Sequence, residues 1–265
     1  MPRPQITAPL PELPQPDNLE LPVDGGPVTR PQPELIEQLQ AVSSATASAN
    51  LHKLGLKNSW IQGPVARQRG RKIVGPAVTL AFMPQREDLL AGPGQEQTEK
   101  RSALWSVLES VQPGDVLCIQ AYGDPYTGCV GEMLSTFFKG RGGAGMVVDG
   151  SIRDWTEIQH IDLPMWTRGV TPNYASQSRL FPWAFNVPVA LSRVTVIPGD
   201  AVIADDDGAV MVPRAMIPLV LEHSLEHEEW EEFSRLKLQE GGDLRRYYPL
   251  SDEGWEEYEQ WKAAQ

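Results

Sequence analysis

The chain has few cysteines and no surplus of basic residues, and each shortage excludes a class of protein. Its 265 residues include only two cysteines, Cys118 and Cys129, which lack the paired spacing of a zinc finger and are expected to be reduced thiols. Asp and Glu outnumber Lys and Arg by 35 to 23, which gives a net charge of −12. Because nucleic-acid binding needs a basic footprint, direct binding of RNA or DNA is not expected.

Long apolar runs are also missing. The longest run falls far short of the roughly 20 residues that a membrane-spanning helix needs. The first residues lack the basic and then apolar layout of a signal peptide. We therefore expect a cytoplasmic protein without membrane contact. The content of 41% hydrophobic and 22% charged residues is typical of a globular protein with a buried core.

Proline is abundant at the start of the chain. Residues 1–33 contain ten of the 24 prolines. Because proline fixes φ and lacks a backbone N–H group, this stretch is not expected to form a helix or a central strand. We predict an extended arm over residues 1–33, either loose or laid over a neighbouring subunit.

Apolar periodicity predicts mixed helices and strands from residue 34 onward. Helices are predicted at 34–54, 101–112, 132–139, 153–160 and 214–238, and a tail helix begins at Ser251. Strands are predicted at 73–82, 116–121, 145–149 and 164–170, followed by antiparallel strands over 187–197 and 201–212. Residues 123–131 are predicted as a loop, and Gly150 is predicted to end a strand. This order indicates one layered α/β domain over residues 34–240, and we expect the tail at 241–265 to pack on a neighbouring subunit.

A candidate site follows from a helix start and an Arg-Asp pair. Residues 128–131 lead into the helix that begins at Glu132, and the first turn of a helix has free N–H groups that can bind a carboxylate. The strand at 145–149 is followed closely by Arg153 and Asp154. Arginine matches a carboxylate or an enolate oxygen, and aspartate is a ligand suited to Mg²⁺ or Mn²⁺. A salt bridge or a helix cap also explains such a pair, so the residues alone leave both interpretations open.

Three segments of the chain resemble the RraA-like family. They are KIVGPAVTL, GRGGAGMVVDGSIRD and PGDAVIADDDGAVMVP, and the resemblance runs from about residue 35 to about residue 240. The family includes 4-hydroxy-4-methyl-2-oxoglutarate aldolases, which also decarboxylate oxaloacetate, and proteins described as regulators of a ribonuclease. The resemblance implies a layered α/β/β/α sandwich, assembly into trimers or hexamers, and active sites between subunits.

The resemblance also implies roles for individual residues. The aldolases carry an acidic residue, twenty intervening positions and then Arg-Asp, which corresponds here to Glu132 followed by Arg153 and Asp154. Asp154 would hold Mg²⁺ or Mn²⁺ directly or through water, Arg153 would contact the keto-acid oxygen, and Glu132 would orient waters on the metal. Aspartate is usual in the family where this chain has Glu132. The substrate carboxylate would be held by three backbone amides, those of Met133, Leu134 and Ser135.

The family aldolases also use a glutamate from the C-terminal region of a neighbouring subunit, and Glu229 is the candidate here. The predicted helix at 214–238 has an apolar stripe formed by Leu221, Leu225, Phe233 and Leu236. Glu229 lies four residues from both Leu225 and Phe233. A carboxylate on an apolar stripe suggests a partner across an interface, although a stripe edge that reaches solvent is equally compatible with the spacing.

Other motifs are explained without a special site. Gly140, Gly142 and Gly145 match GxGxxG, but they follow a helix and precede a strand, which is the reverse of a dinucleotide site. The HxxEH match at 223–227 is interpreted as a solvated acidic helix face, and Asp205–Gly208 as a hairpin turn. No lysine has the apolar setting that Schiff-base chemistry needs, so a metal-dependent mechanism is preferred.

The resemblance, together with the candidate site, implies a metal-dependent lyase that releases pyruvate from a 4-hydroxy-2-oxo acid and also decarboxylates oxaloacetate. Its partners would be a small keto-acid substrate and further copies of the chain in a homotrimer or a homohexamer. Two alternatives stay open. One is a non-catalytic regulator that binds a protein, and the other is a different lyase or hydrolase for another small keto or hydroxy acid. Residues 171–186 and the proline-rich arm could reshape the pocket for such a substrate.

Overall fold

The computed structural model describes residues 19–86, 100–175 and 179–264 of the chain. The strands are β1 (Val23–Asp24), β2 (Trp60–Ile61), β3 (Val65–Ala66), β4 (Ile73–Pro84), β5 (Val116–Gly128), β6 (Gly145–Ile152), β7 (Met165–Val170), β8 (Leu180–Phe185), β9 (Val189–Leu191), β10 (Val194–Val196), β11 (Ala201–Asp205) and β12 (Gly208–Val212). The helices are α1 (Pro33–Leu39), α2 (Ser44–Lys53), α3 (Ala103–Ser110), α4 (Glu132–Gly140), α5 (Trp155–Ile158), α6 (Ile217–Gln239), α7 (Leu244–Tyr247) and α8 (Asp252–Ala263).

Ten of the described strands form one mixed sheet, and β4 joins its two halves. The main order is β2-β12-β11-β4-β5-β6-β7-β3, and β8 pairs with both β4 and β1. Residues 73–76 of β4 pair antiparallel with β11, whereas residues 77–81 pair parallel with β5. Because β4 changes neighbours along its length, it carries the chain from one half of the sheet to the other.

Three buried clusters show the layers of the domain. On one face of the parallel half, Leu80 and Leu117 pack with Phe138 of α4. On the other face, Ala77, Cys118 and Val147 pack with strands β9 to β12. On the far side of β11 and β12, a third cluster contains residues of α1, α2 and α6, which are Leu39, Leu51 and Val220. The two halves of the mixed sheet therefore pack on each other, and helices cover the outer face of each half. This arrangement is the predicted α/β/β/α sandwich.

The N-terminal helical region and two strand ends differ from the prediction. The predicted helix at 34–54 is two helices, α1 and α2, because the Ser43 side chain caps α2 by accepting the Thr46 N–H at 3.0 Å. Strand β5 continues through part of the predicted loop to Gly128, with register shifts against β6. Strand β6 does not stop at Gly150, where a Cβ would lie 2.8 Å from that of Ala121, so this glycine permits close strand packing.

The described part of the proline-rich arm contacts its own domain, and a contact with a neighbouring subunit stays a prediction. Strand β1 pairs parallel with β8. Arg30 binds Asp115, whose side chain is fully buried, through Nε at 2.8 Å and Nη2 at 2.7 Å. Residues 1–18 lie outside the described part of the chain. The arm from residue 19 onward is therefore part of the folded domain.

The tail helix also packs on its own chain. Ser251 caps α8 by accepting the Gly254 N–H at 3.2 Å, as the sequence predicts. Phe233 of α6 packs against Tyr258 of α8 and Tyr247 of α7. A contact between this tail and a neighbouring subunit stays a prediction. Within the described ranges, no helix has both the length and the apolar character needed to cross a membrane.

Candidate active site

A cavity of about 170 Å³ lies where β5 and β6 end and where α4 begins. The ladder between the two strands continues beyond them, because the Cys129 N–H donates to the Ser151 oxygen at 2.9 Å and the Arg153 N–H donates to the Val130 oxygen at 3.1 Å. This pairing brings the start of α4 beside Arg153 and Asp154. Five predicted site residues line the cavity, namely Glu132, Met133, Leu134, Arg153 and Asp154.

The first turn of α4 offers fewer amides than the sequence predicts. Gly131 is the N-cap, so Ser135 is the first residue to complete the helical pattern, and its N–H donates to the Gly131 oxygen at 3.0 Å. The Ser135 hydroxyl donates to the same oxygen at 2.8 Å and is buried. The assignment of Ser135 as a carboxylate-binding amide is therefore wrong. By their position in the first turn, Met133 and Leu134 keep N–H groups that no helical bond uses.

Asp154 is held against the start of α4. Its Oδ2 accepts from Arg153 Nε at 2.9 Å and from the Glu132 N–H at 3.3 Å. The Asp154 backbone is left-handed, with φ of 60°, which is uncommon for a residue other than glycine and stores conformational strain. Such strain persists only where surrounding contacts impose it, so the carboxylate position is fixed by the fold.

Two glycines make room for this arrangement. A Cβ on Gly131 would lie 2.7 Å from Asp154 Oδ2, and a Cβ on Gly128 would lie 2.2 Å from the Asn173 oxygen and 3.1 Å from Arg153 Cβ. Both distances from a Cβ to an oxygen are shorter than real contacts of this kind. Glycine at these positions therefore allows Arg153 and Asp154 to approach the helix start.

A second group of lining residues was not predicted one by one. Its members come from the region of α3 and from the segment around β8, and they are Ser102, Leu104, Trp105, Tyr174, Ala175, Phe181 and Pro182. The last four fall within 171–186, the segment that the sequence suggested could shape the pocket. No local motif marks Ser102 or Trp105, because they reach the cavity only through the packing of α3.

Cys129 also lines the cavity, but it does not supply a nucleophile. Its side chain is fully buried, and burial raises the pKa of its thiol far above the ordinary value. The thiol is therefore protonated near neutral pH, and a protonated thiol is a weak nucleophile.

Glu229 has a partner within the chain. Its Oε2 accepts from Lys262 Nζ of α8 at 2.7 Å, and this hydrogen bond lowers the pKa of the carboxyl. Glu229 is not among the residues that line the cavity, and the Leu225 side chain lies outside the described residues. The carboxylate on the apolar stripe thus meets a lysine of the tail helix, and a role for Glu229 across an interface stays a prediction.

A divalent cation fits the site only if most of its ligands are not protein side chains. Among the described residues, no group of three or more His, Cys, Asp or Glu residues could hold a metal ion. Mg²⁺ is often bound by one or two carboxylates and keeps several waters. Asp154, whose carboxylate accepts the backbone N–H of Glu132 at 3.3 Å, matches that kind of open site rather than a closed protein cage.

Comparison with known proteins places the chain in a family. The RraA-like (Aldolase/RraA) family model matches residues 39–211. A protein of Halalkalibacterium halodurans, whose name marks it as a candidate 4-hydroxy-4-methyl-2-oxoglutarate aldolase, is 30% identical over 151 residues, which are 57% of this chain and 64% of that protein. Protein DlpA of Legionella pneumophila is 24% identical over 214 residues, which are 81% of this chain and 33% of that protein. The chain therefore spans less than two thirds of the length of each of these relatives.

A solved structure gives a similar result. The crystal structure of Streptomyces coelicolor RraAS2, an unusual member of the RNase ES inhibitor RraA protein family, is 54% identical to this chain. The match covers 79% of this chain and 99% of that one, with a TM-score of 0.73. The chain belongs to the RraA-like family, which includes both aldolases and regulators.

Proposed function

We propose that the chain is a divalent-metal-dependent lyase that cleaves a 4-hydroxy-2-oxo acid to release pyruvate and that also decarboxylates oxaloacetate. The observation that supports this most is that Arg153, Asp154 and the free amides of α4 line one cavity. A cation, a planar guanidinium and a helix N-terminus together suit the carboxylate and keto oxygen of the pyruvyl half of such a substrate.

Asp154 would hold Mg²⁺ or Mn²⁺, and Glu132 would orient water beside it. When bound, the cation supplies Lewis-acid stabilisation of negative charge on the keto oxygen. The Asp154 carboxylate suits this role because the hydrogen bonds from Arg153 and Glu132 both go to Oδ2, so Oδ1 is left to bind the cation.

Groups of the protein itself bind the substrate and stabilise the charge that develops on it. The amides of Met133 and Leu134 bind the substrate carboxylate at the positive end of the α4 dipole. When the distal hydroxyl loses its proton, its oxygen forms a carbonyl double bond as the adjoining carbon–carbon bond breaks. The electron pair of that broken bond moves to the keto oxygen, which gives the enolate of pyruvate and a second carbonyl product. Arg153 stabilises that developing charge, because only its Nε binds a carboxylate, that of Asp154, and its terminal amino groups make no hydrogen bond to any described residue. Water then protonates the enolate carbon, and loss of CO₂ from oxaloacetate yields the same enolate.

The proton acceptor proposed for the first step is a water beside Glu132 or Glu229. Glu132 is half-buried at the start of α4, and its Oε1 accepts from Thr136 at 3.3 Å, which orients the carboxylate. Glu229 would serve from a neighbouring subunit in the proposed homotrimer or homohexamer. In that assembly the Glu229 carboxylate would have to leave its hydrogen bond with Lys262 and reach the active site of the neighbouring subunit.

One observation favours a second function, that of a protein-binding regulator. RraAS2, whose family is named for inhibition of a ribonuclease, shares 54% of its residues with this chain. The net charge of −12 would suit a basic protein surface. The chemistry of the site itself, with Arg153 and Asp154 at a cavity, supports catalysis instead.

The deciding experiment is a screen of small keto acids for pyruvate release. Purified protein is incubated with oxaloacetate and a set of 4-hydroxy-2-oxo acids, with Mg²⁺, with Mn²⁺ and after exhaustive chelation. We expect turnover that chelation abolishes and that Mg²⁺ or Mn²⁺ restores. Absence of pyruvate release from every substrate with metal present would refute the lyase and leave the regulator ahead. Full activity after chelation would refute the metal-dependent mechanism.

A further inference from the structure

The hydroxyl of Ser102 is buried without a partner. Ser102 is the N-cap of α3, with extended backbone angles, but its side chain makes no capping hydrogen bond. The residue is 2% exposed, and its Oγ has no hydrogen-bond partner among the described residues. An N-cap serine normally accepts from the second or third N–H of its helix, and an unpaired buried hydroxyl destabilises a fold. An unsatisfied group of this kind points to a ligand or a water that completes it.

Ser102 belongs to the wall of the candidate active-site cavity. Leu104 and Trp105 of α3 line this cavity, and so do the first residues of α4. Two helices therefore begin at one cavity, and each first turn has amides that no helical bond uses. The carboxylates in the described lining are Glu132 and Asp154, and both lie at the α4 start. The α3 side of the lining carries no acidic residue that would repel an anion.

We propose that Ser102 is a specificity-determining residue that, with the first-turn amides of α3, binds a second carboxylate at the far end of the keto acid. This inference rests on the proposed function, because the keto-acid end must occupy the α4 side. Rotation of the Ser102 side chain between staggered rotamers changes the direction of its hydroxyl and allows it to donate into the cavity. The α3 dipole stabilises the anion, and a hydrogen bond to a charged group is stronger than one to a neutral group.

The apolar neighbours make this contact selective. Leu104, Trp105 and Phe181 line the same cavity as Ser102 and give it apolar surface. A substrate that ends in a methyl group would leave the Ser102 hydroxyl unpaired. Sites built to bind a polar group reject analogues that lack it more strongly than apolar pockets reject an extra methylene.

Two ligands of equal chain length test the inference by binding alone. 2-Oxoglutarate ends in a carboxylate and 2-oxopentanoate in a methyl group. Their dissociation constants are measured by calorimetry with Mg²⁺ for the wild type, Ser102→Ala and Ser106→Ala. The control removes a hydroxyl from the same helix, where Ser106 contacts the Ser102 backbone oxygen at 3.4 Å and does not line the cavity. We expect the wild type and the control to favour the diacid at least about ten-fold, and Ser102→Ala to lose about ten-fold of that preference.

Equal affinity of the two ligands for the wild type, or an unchanged preference in Ser102→Ala, would overturn the role of Ser102. Ser102→Cys is the second variant, because it nearly preserves the volume of the side chain and replaces the hydroxyl by a weak donor. It should lose the same preference even if the alanine variant unfolds. Selective diacid binding without pyruvate release overturns the proposed lyase alone, whereas pyruvate release without any preference for diacids overturns the Ser102 inference alone.

Discussion

Substitution of Arg153 by lysine separates a catalytic role from a structural one. Lysine keeps the charge but loses the planar fork, so one ammonium group cannot replace both the Nε contact to Asp154 at 2.9 Å and the terminal donors for the substrate. If Arg153 stabilises the enolate, the contact strengthens as charge develops, and kcat falls more than KM rises. Loss of one such donor typically costs about 100-fold in rate, or about 2.7 kcal/mol.

The same substitution should change stability only slightly. The Arg153 and Asp154 side chains are 35% and 36% exposed. Ion pairs with this much solvent access contribute about 0–1 kcal/mol, and lysine preserves part of the attraction. For a domain of this size, such a change lowers Tm by at most about 4 °C. A large loss of rate with a small loss of stability is therefore the expected combination.

The assay is steady-state oxaloacetate decarboxylation at saturating Mg²⁺, measured beside thermal unfolding. Arg71→Lys is the matched control, because Arg71 pairs with Asp162 at 2.5 Å on the surface, with side chains 42% and 70% exposed. This control should keep the wild-type rate. A folded Arg153→Lys variant with near-normal kcat would refute the catalytic assignment.

Three further predictions follow from the site and its surroundings. Asp154→Asn should weaken Mg²⁺ affinity, so that high Mg²⁺ restores part of the activity, and a metal titration that matches the wild type would contradict this. Gly131→Ala should displace Asp154, because the new Cβ would lie 2.7 Å from Oδ2, and activity should fall at least about ten-fold. Gly140→Ala, which meets no atom within 4 Å, should retain the wild-type rate. Sedimentation should show a trimer or a hexamer. In that assembly Glu229→Gln should lose activity and still assemble like the wild type. A stable and active monomer would exclude a site shared between subunits.

Strong local patterns predicted most of the fold. The apolar runs of β4 and β6 indicate strands because a strand that is buried on both faces has apolar residues at successive positions. The alternation in β11 and β12 also indicates strands, because successive side chains of a strand point to opposite faces. Strand β8 escaped prediction because Pro182 signals an interruption. In the structure Pro182 pairs with Phe82 where the register of β4 and β8 shifts, so the proline sits at an irregularity that tolerates it.

Site residues that lie close together in the chain could be predicted from the sequence, whereas those from distant segments could not. The start of α4 and the Arg153–Asp154 pair lie close together in the chain, so motif and spacing identify them. Ser102 and Phe181 reach the same cavity from distant segments, and no local pattern reports such packing. The error at Ser135 has a different origin, because the number of free amides depends on which residue is the N-cap.

Arg30 lies before residue 39, where the match to the family begins, yet it neutralises a carboxylate in the core. Asp115 is fully buried, and besides both bonds from Arg30 it accepts the Gln112 N–H at 2.8 Å. Removal of one partner of a buried ion pair costs roughly 3–5 kcal/mol, a large part of the ~5–15 kcal/mol that holds a typical domain folded. We therefore expect the segment shared across the family to have a lower free energy of unfolding when it lacks Arg30. A chain that begins at residue 39 would leave the Asp115 carboxylate buried without its cationic partner, so the residues that precede the family segment contribute to the stability of the domain.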